Sequence, residues 1–255
     1  MQGLQAPVVV IHQPYFLPWL GYFAKLALAD TVVILDDVLF RKRFFIDRAR
    51  IIDVHSEIKW IGLPVGENFK VPINQVVIQD VSFLDNMIQT VRSAYRRSPL
   101  FVEEMNWVDW ALRESIKAGR SLVEVDVELL LKFCDRLQIR RPAIDFSSSH
   151  RVRAEPTERL LDLLQIEGGR TFLIGSGSSA YVHDLALLVN AGIGVVVQDF
   201  LPVHPVYRQV RRQQLPFAAG LSVIDVLMNV GHIETQRLLE VGILDSKYVT
   251  IHSVG

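Results

Sequence analysis

Val8-Val9-Val10-Ile11-His12-Gln13-Pro14-Tyr15-Phe16-Leu17-Pro18-Trp19-Leu20-Gly21-Tyr22 begins a unit that Thr31-Val32-Val33-Ile34-Leu35-Asp36-Asp37 closes. Two β-branched runs flank a short amphipathic segment, residues 22–29, which Gly21 and Asp30 bracket. This pattern predicts one βαβ unit, with its strands side by side and parallel. Residues that follow the first strand of such a unit stand at the carboxyl edge of the sheet, where open α/β sheets place their ligands. Five rings, His12, Tyr15, Phe16, Trp19 and Tyr22, crowd a loop held by two prolines, Pro14 and Pro18. A connector that only had to be soluble has no use for so many rings, so the loop reads as half of a binding site.

The same alternation returns further along. Ile144 to Ser147, Thr171 to Ile174 and Gly194 to Phe200 read as strands, with helical spacing at 157–164 and from about 181 to Asn190 between them. The expected class is therefore α/β with a mainly parallel, Rossmann-like sheet. Between the two series, residues 82–97, 100–117 and 122–137 carry apolar positions at helical spacing. Residues 82–140 are expected to form a helical insertion or cap within a single domain spanning 1–255.

Composition narrows the classes. Of 255 residues, 50% are hydrophobic and 22% charged, as in an ordinary globular protein. The apolar runs are too short to span a bilayer, and the first residues carry neither a basic patch nor a signal-type core, so a cytoplasmic protein is expected. A net charge of −1 gives no case for nucleic acid or an anionic membrane as partner. Cys134 is the single cysteine, so there is no internal disulfide or cysteine zinc cluster; its helical context predicts a buried, inert thiol. Against the neutral balance stand local basic clusters at Arg41–Arg43, Arg48/Arg50, Arg96–Arg97 and Arg208/Arg211/Arg212.

Several constellations suggest chemistry. His12 ends a strand at the mouth of the sheet, where an imidazole can act as acid or base or bind phosphate; it can also merely tie down its own loop. Asp36-Asp37 ends the second strand at the same edge, as a base, a ribose or cation holder, or a turn and helix cap. Arg43 and Arg48, among Phe44 and Phe45, suit an anionic substrate. Gly175-Ser176-Gly177 leads from a strand to Tyr181 and a helix, so its backbone can approach a ligand. His204 and Tyr207 follow another strand and are second-rank catalytic candidates. Gln13, Tyr15, Trp19, Gly21, Tyr22 and Lys25 complete the candidate binding set. Nucleotidyltransferases carry His-x-Gly-His in a similar strand–loop–helix; here Trp19 and Tyr22 take the histidine places and Gly21 remains, so two-imidazole phosphate activation is not supported. Ser222 is expected to cap a helix, with Asp225 in a capping-box arrangement. The residues assign no metal ligand set and name no cofactor.

Taken together, Ile11-His12-Gln13-Pro14, Leu17 to Phe23 with Lys25, Ala29-Asp30 and Leu35 to Val38 with Phe40 resemble the start of the WbqC-like protein family. Arg48-x-Arg50-Ile51, Trp60 to Val65, Gly175-Ser176-Gly177 with Tyr181, Pro205-Val206-Tyr207 and Leu221 to Leu227 resemble that family too, over roughly 8–231. One departure is Asp47-Arg48, where many members have Asn-Arg. The resemblance implies a setting in O-antigen, lipopolysaccharide or secondary-metabolite biosynthesis. It favours a transferase that moves an acyl or aminoacyl group to an amino group of an activated sugar or small metabolite, its substrate phosphorylated or nucleotide-linked. The alternatives are a non-catalytic ligand-binding or assembly protein and a degenerate nucleotidyltransferase-like enzyme.

Overall fold

A computed structural model describes residues 3–66, 70–177 and 183–251. Its central sheet has six strands in the order β5-β2-β1-β6-β7-β8: β1 (Val8–His12), β2 (Thr31–Ile34), β5 (Ala143–Phe146), β6 (Thr171–Gly175), β7 (Gly194–Asp199) and β8 (Lys247–Ile251). The first five strands run parallel, and β8 closes one edge antiparallel to β7. The class is α/β, as the alternating runs predict.

Side chains of β1 alternate between two cores. Val8 and Val10 join α1 (Leu20–Leu28), α2 (Leu84–Tyr95), α3 (Phe101–Ser115), α4 (Leu122–Arg136) and α7 (Val223–Asp245) on one face. Val9 and Ile11 pack on the other face against α5 (Pro156–Ile166) and α6 (Leu185–Asn190). The period-two pleat of a strand makes both faces of this one apolar, which is why the run 8–11 is continuously hydrophobic rather than alternating. Ser121 and Glu124 form a reciprocal cap at the start of α4, satisfying two backbone donors. Cys134 is buried on α4, and burial pushes its thiol up to about 12, so the expected inert thiol is found.

Two elements go beyond the sequence expectation. Residues 48–52 form β3, which pairs antiparallel with β4 (Ile58–Gly62) in a separate hairpin, so the basic-aromatic stretch is partly strand. Along β3, Ala49 and Ile51 are buried while Arg48 and Arg50 turn outward. The helix that Ser222 opens, for which the sequence set no end, continues to Asp245 through a kink at Gly231, whose φ is +78°. Leu100 packs so close that a Cβ at 231 would stand 2.3 Å from it. Ser222 caps this helix through Ile224 N–H, but the Asp225 carboxylate points elsewhere, so the capping box is not formed. Among the described residues no helix is long and apolar enough to cross a membrane.

Candidate functional site

The order of the sheet reverses between β1 and β6, since the chain builds outward from β1 to β2 and from β6 to β7. Pairing there is short. β1 and β6 share only the pairs Val8–Thr171 and Val9–Phe172, while β1 pairs with β2 through His12 and β6 with β7 through Gly175. Pairing of the two strands therefore stops short of their carboxyl ends at the switch point, where open α/β sheets have their ligand crevice.

His12 stands on one lip of the crevice. Its Nδ1 lies 2.8 Å from the Gln13 carbonyl, which accepts the N–H and leaves Nε2 as a lone-pair acceptor. Tyr15 and Tyr22 meet the imidazole edge-on, with ring centroids 4.6 and 4.8 Å away. Burial, then the nearby Lys25 charge, lowers its pKa to about 3, so the ring is neutral at physiological pH. The Tyr22 hydroxyl donates to the same Gln13 carbonyl at 3.3 Å. The loop is held under strain: Leu17, before Pro18, has φ +46°, and its fully buried side chain anchors that conformation.

Lys25 reaches the same place from α1. It is buried, and its Nζ lies 3.7 Å from where a Cβ on Gly175 would stand and 5.4 Å from the Tyr22 ring centre. Among the described residues no carboxylate pairs with it, and burial lowers its pKa to about 8. His12, Gln13, Tyr15, Tyr22, Lys25 and Gly175 are thus brought together. Beyond Tyr15 the rings continue outward: Tyr15 stacks on Phe45, and Phe45 meets Trp60 at 5.4 Å. The Arg48 guanidinium lies 3.9 Å from the Trp60 ring centre. It also donates to the Arg43 carbonyl, while the Arg43 N–H is taken by Asp47.

Other sequence candidates are used differently. Asp36 is buried, and its carboxylate accepts from Ser147 Oγ, Ser148 N–H, Ser148 Oγ and Asn74 Nδ2. These bonds latch the end of β2 to the turn after β5 rather than leave a base open to a ligand. Asp37 pairs with Arg159 and accepts from Ser147; burial pushes its carboxyl up, but those partners hold it below the usual range. His204 is buried within an aromatic cluster, stacked parallel to Trp19 at 6.0 Å and edge-on to Phe200 at 5.7 Å. The Tyr207 hydroxyl donates to buried Asp225 at 2.7 Å. Both side chains serve packing and a buried network, not the crevice.

Trp19 lies across Gly21 so closely that a Cβ there would stand 2.3 Å from Cη2. Gly21 makes room for this indole. Ser176 Oγ donates to Asp199 at 2.6 Å, and no described atom crowds Gly177. Tyr181 lies outside the described residues. Asp47 accepts from the Arg43 and Phe44 N–H groups and closes the turn before β3.

Two buried acids stand outside the sequence-derived site set: Asp126 is not singled out, and Asp225 reads only as part of a cap. Asp126 on α4 sits within electrostatic reach of Tyr22, and neither carboxylate oxygen has a hydrogen-bond partner; burial raises its pKa well above the usual range. Asp225 takes hydrogen bonds from Tyr95, Tyr207 and Gln209. Their only sequence signal was an acidic residue on the apolar stripe of a helix, which turn and cap patterns also produce. Three-residue groups with metal-ligand atoms within 4.8 Å occur at Glu103/Glu104/His232 and Asp145/His150/Glu167. Arg136 already pairs with Glu104, and His150 Nε2 already meets Asp145 at 2.5 Å.

The WbqC-like protein family model matches residues 13–237, a span that takes in the His12 loop, the hairpin and the first half of α7. The chain belongs to the WbqC-like protein family. It is similar to the Mycobacterium tuberculosis protein described as "Uncharacterized protein Rv1507c", with 27% identity over 225 residues covering 88% of this chain and 94% of that one. No solved structure matches. In this WbqC-like chain the match begins at Gln13, whose carbonyl holds both His12 and Tyr22.

Proposed function

We propose that the β1/β6 crevice binds an anionic small molecule and that the protein is a transferase, moving an acyl or aminoacyl group to an amino group of an activated sugar or similar metabolite. One observation supports this reading: Lys25 is buried, with no carboxylate partner among the described residues, where the pairing of the two parallel strands stops. An unpaired buried cation is costly unless a ligand supplies the missing charge. A phosphate or carboxylate of a phosphorylated or nucleotide-linked donor meets that need, and the Tyr15–Phe45–Trp60 rings offer a stacking surface for the rest of it.

His12 then acts through Nε2. The acceptor amine attacks the donor carbonyl, a C–N bond forms, and the bond from that carbon to the leaving group breaks. The amine proton passes by way of Nε2 to the departing group. An anion on Lys25 removes the Coulombic part of what depresses His12, making the ring a better relay once the donor is bound. Family membership supports a biosynthetic setting such as surface polysaccharide or secondary metabolites, in the cytoplasm.

The test is a thermal-shift panel of nucleotide sugars, acyl-coenzyme A compounds, nucleoside phosphates and amino acids on wild type, Lys25→Met and His12→Gln. A ligand at 100 times its dissociation constant stabilises the native state by about 2.7 kcal/mol. A donor that shifts wild type and leaves K25M unmoved supports the reading, and equal shifts in both overturn it.

A further inference from the structure

A second basic feature lies apart from Lys25. The turn of the β3–β4 hairpin, the link between α2 and α3, and the loop 208–215 enclose an open cleft of about 650 Å³, whose lining includes Ser56, Arg97, Arg208, Arg211 and Gln213. Arg96 is also within electrostatic reach of Arg211. Among the described residues none of these four arginines pairs with a carboxylate; Asp53 is the one acid that acts on Arg211, at longer range.

The cleft is built, not a chance gathering of surface cations. Arg211 is fixed by three backbone carbonyls, of Ala94 (2.5 Å), Ser93 (2.9 Å) and Val54 (3.2 Å). The neighbouring Arg212 is tied to the carbonyls of Ser56 and Pro216. Beneath them, Gln209 clasps Ala218 at both its N–H and its carbonyl and donates to Asp225, and Val210 N–H is held by Asn229. The loop is thus pinned to the protein floor while Arg97 and Arg208 stay exposed, with no side-chain hydrogen bond among the described residues. Like charges held together in this way repel, and an anion relieves the repulsion.

We propose that this cleft is a binding site for a diphosphate-bearing ligand, distinct from the β1/β6 crevice. Two unengaged guanidinium groups, each with a fork of donors matched to phosphate oxygens, suit two phosphates better than one. The volume is that of a small-molecule pocket and leaves space for an organic body beside the diphosphate. A soluble nucleoside diphosphate and a lipid-linked diphosphate share this chemistry.

Calorimetry of the full chain with inorganic pyrophosphate, uridine diphosphate and inorganic phosphate tests the assignment, together with sedimentation on phosphatidylcholine vesicles with and without a polyprenyl diphosphate. Arg97→Gln/Arg208→Gln should weaken diphosphate binding about tenfold or more, since each lost charge-assisted hydrogen bond is worth about that factor. Arg151→Gln, which removes an exposed charge elsewhere, should bind as wild type does. Uptake of soluble diphosphates assigns the nucleotide source, and uptake of the doped vesicles alone assigns the lipid source. Binding of none of the probes overturns the proposal. So does an equal loss in R151Q, or a loss in K25M with R97Q/R208Q intact, which would put the diphosphate in the crevice.

Discussion

The ammonium nitrogen of Lys25 lies 3.7 Å from the point where a Cβ on Gly175 would stand, so an α1 side chain fills the gap between two strands that have ceased to pair. The lysine crosses from the helix layer to the sheet edge, and the absence of a side chain at 175 leaves its Nζ room.

That relationship predicts a stability gain on neutralisation. The folded pKa of Lys25 is about 8 against an ordinary 10.5, so between these values the unfolded chain binds more protons and wild-type stability rises with pH. Below pH 8 both states carry the charge and the folded state bears the full cost. Lys25→Met should therefore be more stable than wild type at pH 7 and lose the rise between pH 8 and 10.5, which is at most about 1.4 kcal/mol per pH unit. Urea denaturation across that range checks it.

His12 makes the corresponding prediction on the acid side. Its folded pKa of about 3 lies below the ordinary 6.5, so acidification through that window protonates the unfolded chain first and stability falls. His12→Gln should flatten this part of the profile. A nuclear magnetic resonance titration should show the His12 ring still neutral at pH 5; an imidazolium there would contradict the burial described.

The Trp19–Gly21 contact predicts a coupled pair. Gly21→Ala drives a methyl into the indole and should cost about 1–3 kcal/mol. In a Trp19→Leu background the same change should cost much less, giving a clear interaction energy in a double-mutant cycle. Equal costs in both backgrounds would mean that the indole is not what confines residue 21.

Asp126 predicts stabilisation by removal of a charge. Its folded pKa is raised, so the folded state keeps its proton as pH climbs past the ordinary 3.8 while the unfolded chain ionises, and stability is lost as pH rises above that value. Asp126→Asn should abolish this loss and melt higher than wild type at pH 7. A drop in ligand binding alongside a higher melting temperature would mark the buried acid beside Tyr22 as retained for function.

What the sequence determined by itself is local. The β-branched runs at 8–11 and 31–34, the glycine and aspartate that bracket α1, and the helical spacing through 84–136 each depend on near neighbours, and each element formed where those patterns place it. The loop after β1 was legible as lying at the carboxyl edge of a parallel strand for the same reason: strand, proline and ring follow one another in the chain. The strand order was not legible, because which strands lie side by side depends on how helices 84–136 and 156–166 cover the two faces. Only that order makes β1 and β6 neighbours and lets Lys25 of α1 reach Gly175. Asp36, His204 and Tyr207 looked like chemistry because residue type and position at a strand end cannot reveal partners. Ser147 and Ser148, the Trp19 ring and Asp225, each more than 15 residues away or in another element, take up their polar or aromatic surfaces. Lys25 is the converse case: the sequence offers it as a binding candidate, but its burial and its isolation from every described acid exist only because of the tertiary packing around it.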